Sequence, residues 1–257
     1  MTRKTMFSLE GKITIVTGGA RGIGKIVAKQ MAMMGSDIAI VDILRNEGLE
    51  TACEIEKNYG VKSMAYTCDV TDPNQTNKTV NEIANDFGGI DVLFNNAGIV
   101  LHKAALEVTP EEWTKIFDVN THGVFYMARS FAKKLIELER GGSIINNASM
   151  SATVVNFPQE QASYNSSKAA VIQMTKSLAV EWHKYGIRVN SISPGYIFTD
   201  LTAHVKPEWL DKWAELTPIK RFGKCEELAG AVIYFASDCS SFTSGSNLII
   251  DGLYSAV

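Results

Sequence analysis

Short apolar runs alternate with longer amphipathic stretches along this chain. The runs are Ile13-Thr-Ile-Val-Thr17, Ile38-Ala-Ile-Val41, Ser63-Met-Ala-Tyr-Thr67, Val92-Leu-Phe94, Ser143-Ile-Ile145, Val189-Asn-Ser-Ile-Ser193 and Asn247-Leu-Ile-Ile250. Their length predicts strands. Between them, apolar residues recur at helical spacing over 22 to 34, 73 to 87, 111 to 138, 162 to 185 and 226 to 237, which predicts helices. A strand-helix alternation of this kind predicts an α/β protein, a parallel sheet covered by helices on both faces.

No Pro/Gly/Ser-rich linker, charge block or short-period repeat divides the pattern, so residues 1–257 are expected to form one domain. The rhythm breaks only between Gly195 and Lys224, where Trp209, Trp213 and Leu216 stand among polar residues. Two readings stay open for 195–224: a lid over a substrate, or an amphipathic helix packed on the body or at a subunit contact.

Composition narrows the function. Hydrophobic residues make up 46% of the 257 and charged residues 21%, ordinary globular usage. A formal net charge of −3 supplies no basic field for a phosphate backbone, so no nucleic-acid partner is expected and a small or neutral substrate fits better. The N-terminus carries no apolar leader core, and no stretch approaches the roughly 18 apolar residues of a membrane span. A soluble, cytoplasmic protein without a membrane partner is expected. Cys53, Cys68, Cys225 and Cys239 lie far apart, and neither they nor His102, His122, His183 and His204 show metal-ligand spacing; no metal is expected.

The first predicted strand runs directly into Thr17-Gly-Gly-Ala-Arg-Gly-Ile-Gly24, and a helical pattern follows. A strand-turn-helix start aims free backbone N–H groups and the helix dipole at an anion, while Gly18, Gly22 and Gly24 permit tight turning and close approach. A dinucleotide pyrophosphate is the natural ligand, although the spacing departs from the G-x-G-x-x-G fingerprint. At the end of the second strand, Asp42 stands where an acidic side chain accepts from adenosine ribose hydroxyls and repels a 2′-phosphate, which favours NAD over NADP. Arg21, inside the turn, keeps NADP open.

Further motifs follow in order: Asp69-Val70 after the third strand, Asn95-Asn-Ala-Gly98 after the fourth, Asn120 in Val119-Asn-Thr, Ser149, Tyr164-x-x-x-Lys168, and Pro194-Gly195 followed by Thr199. Together with the glycine turn, they make the chain resemble the short-chain dehydrogenase/reductase family over essentially its whole length. The resemblance implies a doubly wound Rossmann fold with seven parallel strands. It also implies that Gly18, Arg21, Gly22, Ile23 and Gly24 hold the pyrophosphate, and that Asp69 and Val70 contact the adenine. Asn95, Ala97 and Gly98 would line the adenosine side and brace the sheet; Pro194, Gly195, Ile197 and Thr199 would hold the nicotinamide end. Asn96 stays open as a turn residue. A homotetramer is implied as well.

Hydride transfer belongs to the nicotinamide, so the protein must manage the hydroxyl proton. A tyrosine near its ordinary value of about 10 is a poor base at neutral pH, but a neighbouring cation favours phenolate. Tyr164 and Lys168, four apart in a helical stretch, emerge from one face one turn apart. Ser149, after a strand, would donate to the substrate oxygen. By resemblance, Asn120 would help hold a water connecting Lys168 to solvent. Ser149 and Tyr164 stand 15 positions apart, a longer spacing than in many family members, so Ser151 stays a rival serine.

The intervening segment is polar and resembles that of the polyol and ketose dehydrogenases, the mannitol, sorbose and galactitol branch, in Ser149-Met-Ser and Asn156-Phe-Pro-Gln. Ser151, Asn156, Gln159 and Glu160 could hydrogen-bond a chain of hydroxyls on a polyol or ketose. A 3-oxoacyl-[acyl-carrier-protein] reductase or another carbonyl reductase is the rival reading, and a catalytically inactive NAD-binding regulator a remote one.

Overall fold

The computed structural model describes residues 6–199, 202 and 205–257. Seven strands, β1 (Ile13–Thr17), β2 (Asp37–Asp42), β3 (Ser63–Thr67), β4 (Val92–Asn95), β5 (Gly142–Asn147), β6 (Ile187–Pro194) and β7 (Asn247–Ile250), form one parallel sheet in the order β3-β2-β1-β4-β5-β6-β7. This is the doubly wound α/β architecture that the strand-helix alternation predicts.

Alternate residues of each inner strand enter opposite cores, as a pleated strand with a two-residue repeat requires. Val16, Ile38, Ile40, Phe94 and Ile145 face one helical layer, where they meet Val27 and Met31 of α1 (Gly22–Met33) and Leu228 and Val232 of α8 (Glu226–Ala236). Ile15, Ala39, Val41, Leu93 and Ile144 face the other. There they pack on α3 (Pro73–Phe87), α5 (Val124–Glu137) and α6 (Ala162–Trp182) through residues such as Ile83, Phe131 and Leu178. Helix starts follow local chemistry. Asp72 caps α3 by accepting from the N–H groups of Asn74 and Gln75, and Thr109 with Glu112 forms a capping box on α4 (Pro110–Phe117).

The structure departs from the periodicity reading in two places. Helix α2 (Arg45–Tyr59) was not anticipated; its buried face consists of Gly48, Thr51, Ala52 and Ile55, too small and polar to register as an apolar stripe. The expected helix over 111 to 138 is interrupted by a π-helical turn at Asp118–Gly123, a distortion that concentrates at functional sites. Between Gly195 and Lys224 lies α7 (Pro207–Leu216). The chain on either side is clipped together where Phe198 N–H donates to the Gly223 carbonyl at 2.9 Å and Gly223 N–H to that of Tyr196 at 2.9 Å. Among the described residues, no helix is long and apolar enough to cross a membrane.

The strand order reverses between β1 and β4, and the turns after these strands meet. A Cβ on Gly18, whose φ is +61°, would stand 2.9 Å from the Ala97 Cα. A crevice outside the strand C-termini follows from this reversal.

Candidate active site

A cleft of about 1110 Å³ opens there, large enough for an extended ligand together with a small one. Gly18, Arg21, Gly22 and Ile23 line it, and the start of α1 explains why an anion suits them. Arg21 is extended and its side chain caps no N–H, so the first turn of the helix is left without a side-chain acceptor. Gly22 has φ +55° and nothing within 4 Å of where a Cβ would project. Gly24 acts differently: it does not line the cleft, and a Cβ on it would fall 2.1 Å from the Gly18 carbonyl oxygen. It lets the helix press against the turn.

Asp42 lines the cleft from the end of β2, where its two oxygens accept from the N–H groups of Ala20 at 3.0 Å and Leu44 at 3.1 Å. Asp69, Val70, Ala97 and Gly98 also line it. So do Pro194, Gly195, Ile197 and Thr199. Gly195 is dictated by packing, since a Cβ there would sit 2.6 Å from the Asp251 Cα.

Asn95 is placed otherwise than the adenosine-side reading expects. It is buried, its amide donates to Asn146 Oδ1 at 3.1 Å and to the Val124 carbonyl at 3.2 Å, and it lies outside the cleft lining. Its contacts are those of a sheet brace. The lining residue is its neighbour Asn96, whose Nδ2 donates to the carbonyls of Thr17 and Gly18 and whose Oδ1 accepts from Asn147. That chain of amides ties the glycine turn to β5.

Ser149, Tyr164 and Lys168 meet in the cleft. The Ser149 hydroxyl favours the charged form of the Tyr164 phenol and accepts from the Ser151 N–H at 3.1 Å, while the Ser151 hydroxyl accepts from Gln161. Of the two rival serines, Ser149 is therefore the one that acts on the tyrosine's ionisation. The Lys168 Nζ lies 5.8 Å from the Tyr164 ring centre and donates to the Asn147 carbonyl at 2.7 Å.

The Tyr164 side chain keeps part of its surface open to the cleft, yet the dense protein around it desolvates the phenol and pushes its pKa up; the Ser149 hydrogen bond opposes this. The same desolvation pushes the buried Lys168 down to about 8. Burial thus works against the charge that the Tyr-Lys spacing was expected to supply.

Asn120 sits fully buried in the π turn, outside the cleft lining. Its side chain brackets Ile99, accepting from the N–H at 2.8 Å and donating to the carbonyl at 2.9 Å, and also donates to the Ser167 hydroxyl at 3.1 Å. Ser167 in turn donates to the Tyr164 carbonyl at 2.8 Å. Asn120 therefore ties the loop after β4 to the first turns of α6.

Of the polar segment, Ser151, Asn156 and Gln159 are buried and line the cleft. Glu160 corrects the expectation: its side chain is exposed and outside the cleft, and its main-chain carbonyl accepts from Lys103. Four side chains that sequence reasoning did not assign complete this wall. Tyr196 stacks on Trp213 with ring centres 4.3 Å apart, and its hydroxyl accepts from the amides of Asn156 at 3.2 Å and Gln159 at 2.9 Å. Trp213 donates to Gln159 Oε1 at 2.7 Å. His102 and Gln161 also line the cleft. The break in rhythm over 195–224 points to Trp213 and the stretch holding Tyr196 as a candidate cover, but nothing in the sequence singles out His102 or Gln161, which only folding brings to this wall.

The residues fit a nicotinamide dinucleotide: an uncapped helix N-terminus beside an open glycine, a strand-end carboxylate, and a buried Asn147 Oδ1 that has no hydrogen-bond partner and belongs to a cleft-lining residue.

A family model described as enoyl-(acyl carrier protein) reductase matches residues 18–255. A sorbose reductase of Candida albicans is 45% identical over 251 residues, covering 97% of this chain and 89% of the relative. An NADP-dependent mannitol dehydrogenase of Alternaria alternata is 44% identical over 254 residues, covering 98% and 95%. Among solved structures, a short-chain type dehydrogenase/reductase from Mycobacterium marinum superposes with a TM-score of 0.94 at 40% identity, covering 98% of each chain.

Proposed function

This chain belongs to the short-chain dehydrogenase/reductase family, and we propose that it is an NAD-dependent oxidoreductase interconverting a polyol and its ketose, with Tyr164, Ser149 and Lys168 handling the proton and Asn120 positioning them. The observation that carries the reading is the junction of two features in one cleft: Ser149, Tyr164 and Lys168 lining it together, and the buried amides of Asn156 and Gln159.

When bound, the nicotinamide supplies the hydride acceptor or donor for the carbinol carbon. Tyr164 takes the hydroxyl proton during oxidation and returns it during reduction. Ser149 donates to the substrate oxygen as charge develops on it. Lys168, charged at neutral pH with a pKa near 8, favours the phenolate against the effect of burial. Asn120 is a positioning residue that acts through Ser167 and the α6 backbone.

The choice of NAD rests on Asp42. Its oxygens each hold one backbone N–H and keep further lone pairs for ribose hydroxyls, and its charge opposes a 2′-phosphate. The related mannitol dehydrogenase is named NADP-dependent, so the cofactor preference is a direct test. The 195–224 segment serves as the substrate cover within a single domain, through Trp213 and Tyr196. Exposed Phe242, Leu248, Ile249 and Leu253, around β7 and the chain end, support a homotetramer. A cytoplasmic location accords with the rest.

The deciding experiment measures turnover of mannitol, sorbitol, arabinitol, fructose, sorbose and an acetoacetyl thioester with NAD(H) and NADP(H). Turnover of a polyol-ketose pair with preference for NAD is expected. Activity on the thioester alone, with NADPH, overturns the substrate class, and a strong NADP preference overturns the cofactor assignment.

A further inference from the structure

We propose that Tyr196 is a specificity-determining residue, donating its phenol O–H to a substrate hydroxyl oxygen other than the one at the reacting carbon, with Gln159 as the positioning residue that turns that proton away from the wall. This rests on the polyol reading above and deepens it.

The direction of each hydrogen bond follows from one group that can only donate. The Trp213 indole N–H lies 2.7 Å from one end of the Gln159 amide, and that end is therefore the carbonyl oxygen, Oε1. The other end is then the NH₂, which donates to the Tyr196 oxygen at 2.9 Å. Asn156 Nδ2 donates to the same oxygen at 3.2 Å, while Asn156 Oδ1 accepts from Gln161 at 3.0 Å. A phenol oxygen that receives two amide protons has only its own O–H left to place. Gln159 is 4% exposed and has both polar ends engaged inside the protein, so it serves the substrate through Tyr196.

Tyr196 is held in place on every side. Its ring stacks on Trp213 with centres 4.3 Å apart and planes 7° apart. Its main-chain carbonyl accepts from the Gly223 N–H at 2.9 Å, in the clip that closes the 195–224 segment. The chain leaves β6 at Pro194, two residues earlier, and Tyr196 lines the same cleft as Ser149 and Tyr164. Those two serve the reacting oxygen, so a donor carried on a separate segment meets another part of the substrate. Within the protein the competitor for the proton is the Tyr254 phenol, whose ring stands edge-on with its centre 5.4 Å away.

A substrate hydroxyl offers this O–H a lone pair, whereas an aliphatic chain leaves it facing carbon. A half-buried donor left unpaired by the bound molecule costs enough to discriminate between the two.

The test compares wild type, Tyr196→Phe, Gln159→Met, the double variant and Tyr254→Phe in steady-state reduction of fructose, sorbose and 2-hexanone, with NADH affinity and thermal unfolding as controls. Tyr196→Phe keeps the stacked ring and removes the hydroxyl. Its kcat/KM on the ketose that wild type turns over is expected to fall about 10- to 100-fold, mainly through KM, while NADH affinity holds and 2-hexanone changes far less. Gln159→Met should lose in the same direction, and the double variant should fall no more than about threefold below Tyr196→Phe, because Gln159 acts through that hydroxyl. Tyr254→Phe should stay within about threefold of wild type. Ketose kcat/KM within about twofold of wild type in Tyr196→Phe overturns the proposal. So does an equal loss on 2-hexanone, or a loss in Tyr254→Phe that matches Tyr196→Phe, since the proton would then be spent inside the protein. Fully additive losses in the double variant overturn the role of Gln159. A wild type inert toward every ketose overturns the polyol reading itself, an outcome distinct from an active wild type indifferent to Tyr196.

Discussion

The Lys168 ammonium donates to the main-chain carbonyl of Asn147 at 2.7 Å, joining the second turn of α6 to the last residue of β5. One charge-assisted hydrogen bond on a side chain 4% exposed does not replace the water it loses, which is why the lysine is held near 8 rather than 10.5.

Stability should therefore depend on pH through this residue. A lysine whose folded pKa lies below its unfolded value destabilises the fold while both states are protonated, and that cost disappears as pH rises from about 8 toward 10.5. Relative to Lys168→Met, wild type is expected to gain about 2–3 kcal/mol between pH 7 and pH 10. Urea denaturation of both proteins at the two pH values checks this; a constant difference would contradict it.

Tyr164→Phe removes only the phenol oxygen, whose ionisation Ser149 favours. Turnover should fall by about 10²- to 10⁴-fold, the range for a lost proton-transfer group, while NAD affinity by calorimetry stays within a few-fold. Retained turnover would remove Tyr164 from the mechanism.

Asp42→Ala should lower the ratio of NAD to NADP efficiency by about tenfold or more, because it deletes both the ribose acceptor and the charge opposing a phosphate. It also frees the N–H groups of Ala20 and Leu44, costing about 1–2 kcal/mol of stability. Kinetics with both cofactors and a thermal melt separate the two effects, and an unchanged ratio would refute the recognition role.

Gly24→Ala places a methyl group 2.1 Å from the Gly18 carbonyl oxygen and 2.6 Å from Asn96 Nδ2. The turn must shift, so a loss of about 1–3 kcal/mol and weaker NAD binding are expected together. Unchanged NAD affinity by calorimetry would show that the turn does not hold the cofactor.

Sheet, strand placement and the Tyr164–Lys168 pair were legible in the chain because each depends on local order. A buried strand is a short apolar run, a helical pair is a spacing of four, and a glycine turn is contiguous. Helix α2 escaped because its buried face is built of Gly48, Thr51 and Ala52, which carry little hydropathy. The π turn escaped because one extra residue per turn barely disturbs a helical pattern.

Within the polar segment, composition identified the wall but not which side chains enter it. Asn156 and Gln159 turn inward and Glu160 outward, since an irregular loop has no period from which direction can be read. The choice of Ser149 over Ser151 was open until the fold showed Ser149 favouring the charged Tyr164 phenol and the Ser151 hydroxyl taken up by Gln161.

By itself, then, the sequence determined the α/β architecture, the glycine turn with its carboxylate, and the tyrosine-lysine pair, all of which are encoded by neighbours in the chain. Tertiary structure alone decided what depends on distant segments closing on one another. It turned Asn95 to the sheet and Asn96 to the cleft, and it desolvated the half-buried Tyr164 and the buried Lys168 enough to oppose the charge on each. It also assembled His102, Gln161, Tyr196 and Trp213, contributed by three separate segments, into one wall. Hydrogen bonds and desolvation are set by which atoms meet, and no linear pattern records that.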